Sequence, residues 1–338
     1  MKKLVASLIA LAVFALVLAV ALLPGGGQPG LSYAFFVYDK NDTFIMELTS
    51  RMISDLQEPI SYEIFDAANS QSVQNRQILE AIDSGFDIFI INAVDRLAAG
   101  TIVERLYRED IPIIFYNREP LWDAIASRHN VFYVGAATHV QGASQADIAA
   151  GHFFGTGKKS EGDSIGLVIL KGEHGHQDAE IRTASSLERL YELRLYPEIL
   201  AIESANWRRG DARQIMSEIF AQHGEKIELV LSNNDDMALG AIDFLLYERV
   251  ILPGADMPFI IIGVDGTPAG LRAVYDGFIY GTVLNDIWQQ SDAILTLADY
   301  IVHGRDLASF PYSITSGHFI YIYGDIVTRE TAHMYIPQ

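Results

Sequence analysis

Short, almost wholly apolar runs recur along this chain. Each is followed by a polar turn and then by a segment with apolar residues three and four apart. The first run is 33–38, after which Phe44, Leu48, Met52 and Leu56 fall on one face of a helix. Strands follow at 61–66, 86–92 and 111–116, with helices ending at Ser84 and spanning 95–110 between them. Continuous apolar runs of this length suit strands buried on both faces of a parallel sheet. A weaker strand at 131–135 leads into a helix over 141–154. A second series then begins at 165–170, with a helix from Gln177 carrying Leu187, Leu190 and Leu193. It continues with strands at 198–204, 229–231, 259–264 and 279–284, helices over 211–222, from Met237 and up to Asp276, and a long helix reaching His303. Two short strands, 312–314 and 319–323, are predicted to close the chain. Two βα series of the same form predict an α/β protein of two doubly wound parallel-sheet lobes. A cleft between such lobes is a favoured ligand site.

Composition narrows the function classes. The chain has 338 residues, of which 50% are hydrophobic and 20% charged, as a packed protein requires. Its formal net charge of -19 argues against a nucleic-acid partner, because phosphate binding needs clustered Lys and Arg. It has no cysteine, which excludes disulfides, a thiol nucleophile and a thiolate metal site. The N-terminus starts Met1-Lys2-Lys3, continues with an apolar run from Leu4 to Leu23 broken only by Ser7, and ends in a Gly-rich link. With Ala19-Val20-Ala21, this reads as a secretory signal peptide. Its length, near the ~20 residues that span a bilayer, makes an uncleaved membrane anchor the alternative. Residues 1–30 are therefore expected to be a signal or anchor plus link, and the body to work outside the cytoplasmic membrane. Lipidation at the junction is excluded by the missing cysteine.

The residues following the strands carry the candidate chemistry. They are Asp42 and Phe44; Asn92; Asn117; His176, Asp178 and Arg182; Trp207; Asn234; Asp265; and Asn285. Open α/β sheets place ligands at this edge. Planar carboxylate, amide, imidazole and guanidinium groups make paired hydrogen bonds, as recognition of a polyhydroxylated ligand requires. Asp178 and Arg182 are four apart, so a helix puts them on one face. Phe44 and Trp207 are placed to supply aromatic faces. Each residue alone has a plainer reading. Asp42, Asn234 and Asn285 suit helix N-caps, Asn92, Asn117 and Asp265 suit turns, and Trp207 suits a lobe core. Their joint placement at one edge favours a site.

Several stretches together resemble the galactose/glucose-binding proteins of bacterial ABC sugar transporters, within the larger periplasmic sugar-binding family that includes the ribose-binding proteins. They are Tyr38-Asp-Lys-Asn-Asp-Thr-Phe44, Asn117-Arg-Glu-Pro120, Lys171-Gly-Glu-His-Gly-His-Gln-Asp-Ala-Glu-Ile-Arg-Thr183, Ala205-Asn-Trp207, Asn233-Asn-Asp-Asp-Met-Ala-Leu-Gly-Ala241, Gly263-Val-Asp265 and Gly281-Thr-Val-Leu-Asn-Asp286. The resemblance covers essentially the whole chain after the N-terminal segment. It implies a type I periplasmic binding protein fold, with three hinge crossings near 136–138, 284–287 and 317–321. Lobe 1 is then 31–137 with 286–318, and lobe 2 is 138–285 with 319–338. Asp42, Asn117, His176, Asp178, Arg182, Asn234, Asp265 and Asn285 are implied as hydrogen-bonding groups, and Phe44 and Trp207 as the faces that hold a pyranose. Asn92 does not carry over as a contact. The match at Asp42 implies that both D-glucose and D-galactose bind.

The resemblance departs at one place. The best-known members carry a calcium loop before the strand at Ile165, and here that stretch is Gly157-Lys-Lys-Ser-Glu-Gly-Asp-Ser164. Lys158 or Lys159 replaces the leading acidic ligand, although Glu228 matches a later one. Calcium takes six to eight oxygens, so the site is expected to be lost and no cofactor is expected.

What the resemblance implies is a monomeric binding protein in the periplasm or at the cell surface. It is not an enzyme. Its partners are a monosaccharide and the membrane subunits of an ABC importer. A chemotaxis receptor is a further candidate partner, and an anchored sugar sensor is the alternative role. A glycoside hydrolase using Asp42, Asp178 or Asp265 is the rival from another class. A sugar-responsive transcription regulator would need a helix-turn-helix where the apolar N-terminal segment stands.

Overall fold

The computed structural model describes residues 30–336 apart from Glu58, Ser127 and 252–256. The expected signal or anchor lies outside the described residues. Among those described, no helix is long and apolar enough to cross a membrane.

The two βα series form two sheets of the same topology. In the first, β1 (Ser32–Val37), β2 (Ser61–Asp66), β3 (Ile88–Ile91), β4 (Ile113–Tyr116), β5 (Val131–Ala136) and β11 (Phe319–Ile322) pair in the order β11-β5-β4-β3-β1-β2. In the second, β6 (Ser164–Lys171), β7 (Tyr196–Ser204), β8 (Leu229–Ser232), β9 (Ile260–Asp265), β10 (Gly281–Leu284) and β12 (Ile326–Thr328) pair in the order β12-β10-β9-β8-β6-β7. All pairs are parallel except β10 with β12. The central strands are buried throughout, which is why their sequences read as unbroken apolar runs. The edge strands β2 and β7 carry mixed sequences and exposed side chains.

Each sheet is covered on both faces. Phe35, Ile90 and Ile114 of the first sheet pack against α1 (Thr43–Asp55) and α10 (Ile287–Val302). Phe36, Phe89 and Phe115 point the other way, onto α2 (Gln71–Ser84) and α3 (Ala99–Tyr107). A five-residue α4 (Trp122–Ala126) follows β4. In the second lobe, Ile169 and Leu231 face α5 (Thr138–Gly155) and α6 (Gln177–Glu192). Val168 and Val230 face α7 (Arg209–His223), α8 (Asp235–Tyr247) and α9 (Pro268–Asp276).

The chain crosses between lobes from β5 into α5, from β10 into α10, and from β11 into β12. The third crossing differs from the expectation. Residues 319–322 do not join the second lobe, because Phe319–Ile322 pairs in register with Tyr133–Ala136 of β5, so the crossing falls at 323–325. The strand expected at 312–314 does not form either. Tyr312 instead packs on Phe310 and donates its hydroxyl to Asp292 Oδ2.

Candidate functional site

Ten of the eleven residues singled out in the sequence converge on one inner chamber between the lobes, and Asn92 lies behind it. Asp42, Phe44 and Asn117 enter it from the first lobe. His176, Asp178, Arg182, Trp207, Asn234 and Asp265 enter from the second, and Asn285 from the second crossing. Tyr38, Ile45 and Arg118 complete its wall. The chamber is small, about 30 Å³, and opens into an outer cleft of about 730 Å³ that shares Tyr38, Asp42, Phe44, Trp207, Asn234 and Asp265 with it. Lobe-to-lobe bonds hold this arrangement closed. Arg118 Nη2 donates to Glu173 Oε2 at 2.7 Å, Thr43 Oγ1 to Asp236 Oδ2 at 2.8 Å, and Gln177 Nε2 to the Asn117 carbonyl at 3.2 Å.

The capping and binding readings of several residues turn out to be compatible. Asp42 caps α1 through one oxygen, which accepts from Ile45 N at 2.9 Å, while the other accepts the Tyr38 hydroxyl at 2.6 Å. Asn234 caps α8 through Oδ1, and its amide nitrogen donates to the Trp207 carbonyl. His176 caps α6 by accepting the Asp178 N–H at Nδ1. The neutral ring therefore carries its proton on Nε2, where it is a donor. Burial, together with Arg118, Arg182 and Arg96, holds the imidazole well below its usual pKa, so it stays neutral. Asn285 does not cap α10. Asp286 does, and Asn285 bridges Gln290 Nε2 at 2.6 Å to Asp265 Oδ1 at 3.2 Å. Asn92 is fully buried and accepts the Tyr38 N–H at Oδ1. Its own amide donates to Asn117 Oδ1, so it orients that residue from behind.

Asp178 and Arg182 form a buried pair at 3.3 Å, each 2% exposed. Thr138 Oγ1 and Gln177 Nε2 also donate to Asp178 Oδ1, and Arg182 further donates to Gln141 Oε1 and the Asn233 carbonyl. Trp207 lies edge-on to His176, with ring centroids 5.0 Å apart at 74°. Its indole also passes so close to Gly172 that a Cβ there would lie 2.3 Å from the ring. Only glycine fits beneath it.

Backbone strain marks the same place. Asn117, Trp207 and Asp265 have φ of 60°, 66° and 118°, in the left-handed half of the map that non-glycine residues avoid. Strain of this kind collects at ligand sites, where the surroundings fix the conformation.

Burial pushes the carboxyls of Asp42 and Asp178 up and that of Asp265 well up, against the pull of Arg118 and Arg182. A ligand hydroxyl that donates to such a carboxylate stabilises its ionised form. Affinity should therefore be full above the raised pKa values and fall as pH drops through them, beginning above the ordinary carboxylate range. His176 is neutral throughout this window and adds nothing. Calorimetric titrations from neutral pH downward should show weakening that begins before the ordinary carboxylate range is reached, and a flat profile would contradict these carboxylates as acceptors.

The stretch that departs from the calcium loop contains an ion pair. Lys159 Nζ lies 2.8 Å from Glu228 Oε1, and Glu228 Oε2 accepts the Gly166 N–H at 3.0 Å. Among the described residues, no group of three or more His, Asp or Glu is placed to hold a metal ion. A ligand that binds only the native state raises its unfolding temperature. Neither millimolar calcium nor a chelator is expected to move the melting temperature, and a rise with calcium alone would contradict this.

The profile of the periplasmic binding protein domain family matches residues 33–306, so the chain belongs to that family. The D-galactose/methyl-galactoside binding periplasmic protein MglB of Haemophilus influenzae is 31% identical over 295 residues, covering 86% of this chain and 87% of that protein. The ribose import binding protein RbsB of Bacillus subtilis is 26% identical over 318 residues, covering 90% and 95%. Among solved structures, an ABC transporter solute binding protein of Bacillus halodurans C-125 with bound myo-inositol superposes with a TM-score of 0.76 at 25% identity, covering 92% of this chain and 99% of that one. A periplasmic solute binding protein of Actinobacillus succinogenes 130z with bound D-allose gives 0.76 at 21% identity, covering 90% and 100%, a likeness of fold.

Proposed function

We propose that this protein is an extracytoplasmic solute-binding protein that captures D-galactose or D-glucose between its lobes and delivers it to an ABC importer. The observation that carries this reading is the convergence of ten of the eleven strand-end residues on one inner chamber. Their chemistry alternates: Asp42, Asp178 and Asp265 accept, while His176 Nε2, the Asn117 amide and Arg182 donate. Vicinal hydroxyls, each both donor and acceptor, match such a wall. Phe44 and Trp207 supply apolar faces for the C–H surface of a pyranose. The relative with the galactoside-binding name, at 31% identity over most of both chains, favours a hexose over the pentose or inositol of the other relatives.

Binding rather than hydrolysis is the better reading of the carboxylates. A glycosidase pair needs one acid with a raised pKa beside one that stays ionised. Here burial raises all three in the same direction. Ligand contacts from both lobes would favour the closed state over the open one, and the closed form is what a transporter would read.

Tryptophan fluorescence titrations with D-galactose, D-glucose, D-ribose and myo-inositol test the specificity. A saturable change with either hexose at micromolar concentration, and a far weaker one with the other two, is the expected result. A preference for D-ribose or myo-inositol would keep the binding-protein reading and withdraw the hexose.

A further inference from the structure

We propose that Asp235 is a positioning residue of the sugar site, a buried carboxylate that holds Asn234, Asp265 and Asn285 at fixed spacing by tying together the ends of β8, β9 and β10. This rests on the sugar-binding reading above. Asp235 itself lines neither the chamber nor the outer cleft. It is fully buried and stands one residue beyond Asn234, at the start of α8. Its Oδ2 accepts the Gly266 N–H at 2.8 Å and the Thr267 N–H at 2.9 Å, both in the turn after β9. Its Oδ1 accepts the Thr282 hydroxyl of β10 at 2.7 Å.

The turn after β9 needs such an acceptor. Asp265 and Gly266 both have positive φ, 118° and 72°. Successive amides in a tight turn converge on one point, where an anion fits, and buried amides must find an acceptor. Asp265 keeps its strained conformation only where the surroundings impose it. Asp265 Oδ1 in turn accepts the Asn285 amide, so a shift of the turn moves both residues. The lobe leaves room for the carboxylate. A Cβ at Gly263 would lie 2.2 Å from Oδ1, and one at Gly270 2.1 Å from Oδ2. Burial pushes the Asp235 carboxyl up to about 7 despite the three donors, and none of those donors is a cation. An ionisable group kept where its charge is disfavoured is a poor device for stability and points to a role in the site it supports.

The competing possibility is that Asp235 serves only the folding of the second lobe. Calorimetry and thermal unfolding of the full-length protein separate the two. The probes are D-galactose, D-glucose and the monodeoxy analogues of whichever binds. Asp235→Asn can turn its carbonyl oxygen to the two amides and its own amide to Thr282 Oγ1, so its affinity should stay within about threefold of the unmodified protein. Asp235→Ala loses all three bonds and should weaken the parent sugar roughly tenfold or more at temperatures where it is fully folded. The loss should fall on the hydroxyls that Asp265 and Asn285 meet. The penalty for one or two missing hydroxyls should therefore vanish, while those served by the first lobe and α6 keep theirs. Thr282→Val serves if the alanine variant does not fold. It cuts only the Oδ1 bond and should show the same hydroxyl pattern with a smaller loss. A lower melting temperature with unchanged affinity, one common factor for all probes, or an asparagine variant as weak as the alanine one overturns the proposal. No binding of either hexose by the unmodified protein overturns the sugar-binding reading, and this role with it.

Discussion

Replacing Asp178 by alanine is expected to weaken hexose binding by about 3 kcal/mol or more, at least a hundredfold. The carboxylate stands at the start of α6, where Thr138, Gln177 and Arg182 all donate to it. Without it the Arg182 guanidinium is left buried beside the chamber with its charge unpaired. Breaking a buried pair from one side typically destabilises by about 3–5 kcal/mol. Arg182 retains Gln141 and the Asn233 carbonyl, which places the stability loss at the lower end. Asp178→Asn keeps the shape without the charge and should fall between the two proteins. Calorimetry and thermal unfolding check both effects. An alanine variant with unchanged affinity would mean that the sugar does not reach Asp178.

Trp207→Ala should weaken binding by about 1–3 kcal/mol, from the apolar and aromatic surface withdrawn from the ligand. Folding should suffer less. The indole packs on the backbone at Gly172 and edge-on to His176 and is only half-buried, unlike the fully buried rings of the sheets. The variant should also lose most of the sugar-induced fluorescence change. A large drop in melting temperature with unchanged affinity would make Trp207 a core residue, the plainer of the two readings its sequence permits.

Much of this site was legible in the sequence because it is built on strand ends. A buried parallel strand announces itself as an apolar run, and the first polar residues after it are forced to one edge of the sheet. Asp42, Asn117, Asp178 and Asp265 were found that way. Tyr38 and Arg118 were not. Tyr38 reads as the last residue of the first apolar run, 33–38, and only the fold shows its hydroxyl on Asp42. Arg118 reads as a charged loop residue, yet it is buried against Tyr38 and reaches Glu173, 55 residues on. The third crossing, which the resemblance puts near 317–321, falls instead at 323–325. Periodicity identifies 319–322 as a strand but carries no information about which sheet it joins, and pairing with β5 decides that. The helix α4 has five residues, too few to show a period.

The central claim is that the cleft binds a hexose through these residues. Titration calorimetry of D-galactose and D-glucose into the unmodified protein and the Asp178→Ala variant, side by side, tests it most directly. One-to-one binding of at least one hexose, low-micromolar or tighter, with loss of a hundredfold or more in the variant, is the predicted result. No heat with either hexose in the unmodified protein, or equal affinity in both proteins, would contradict it.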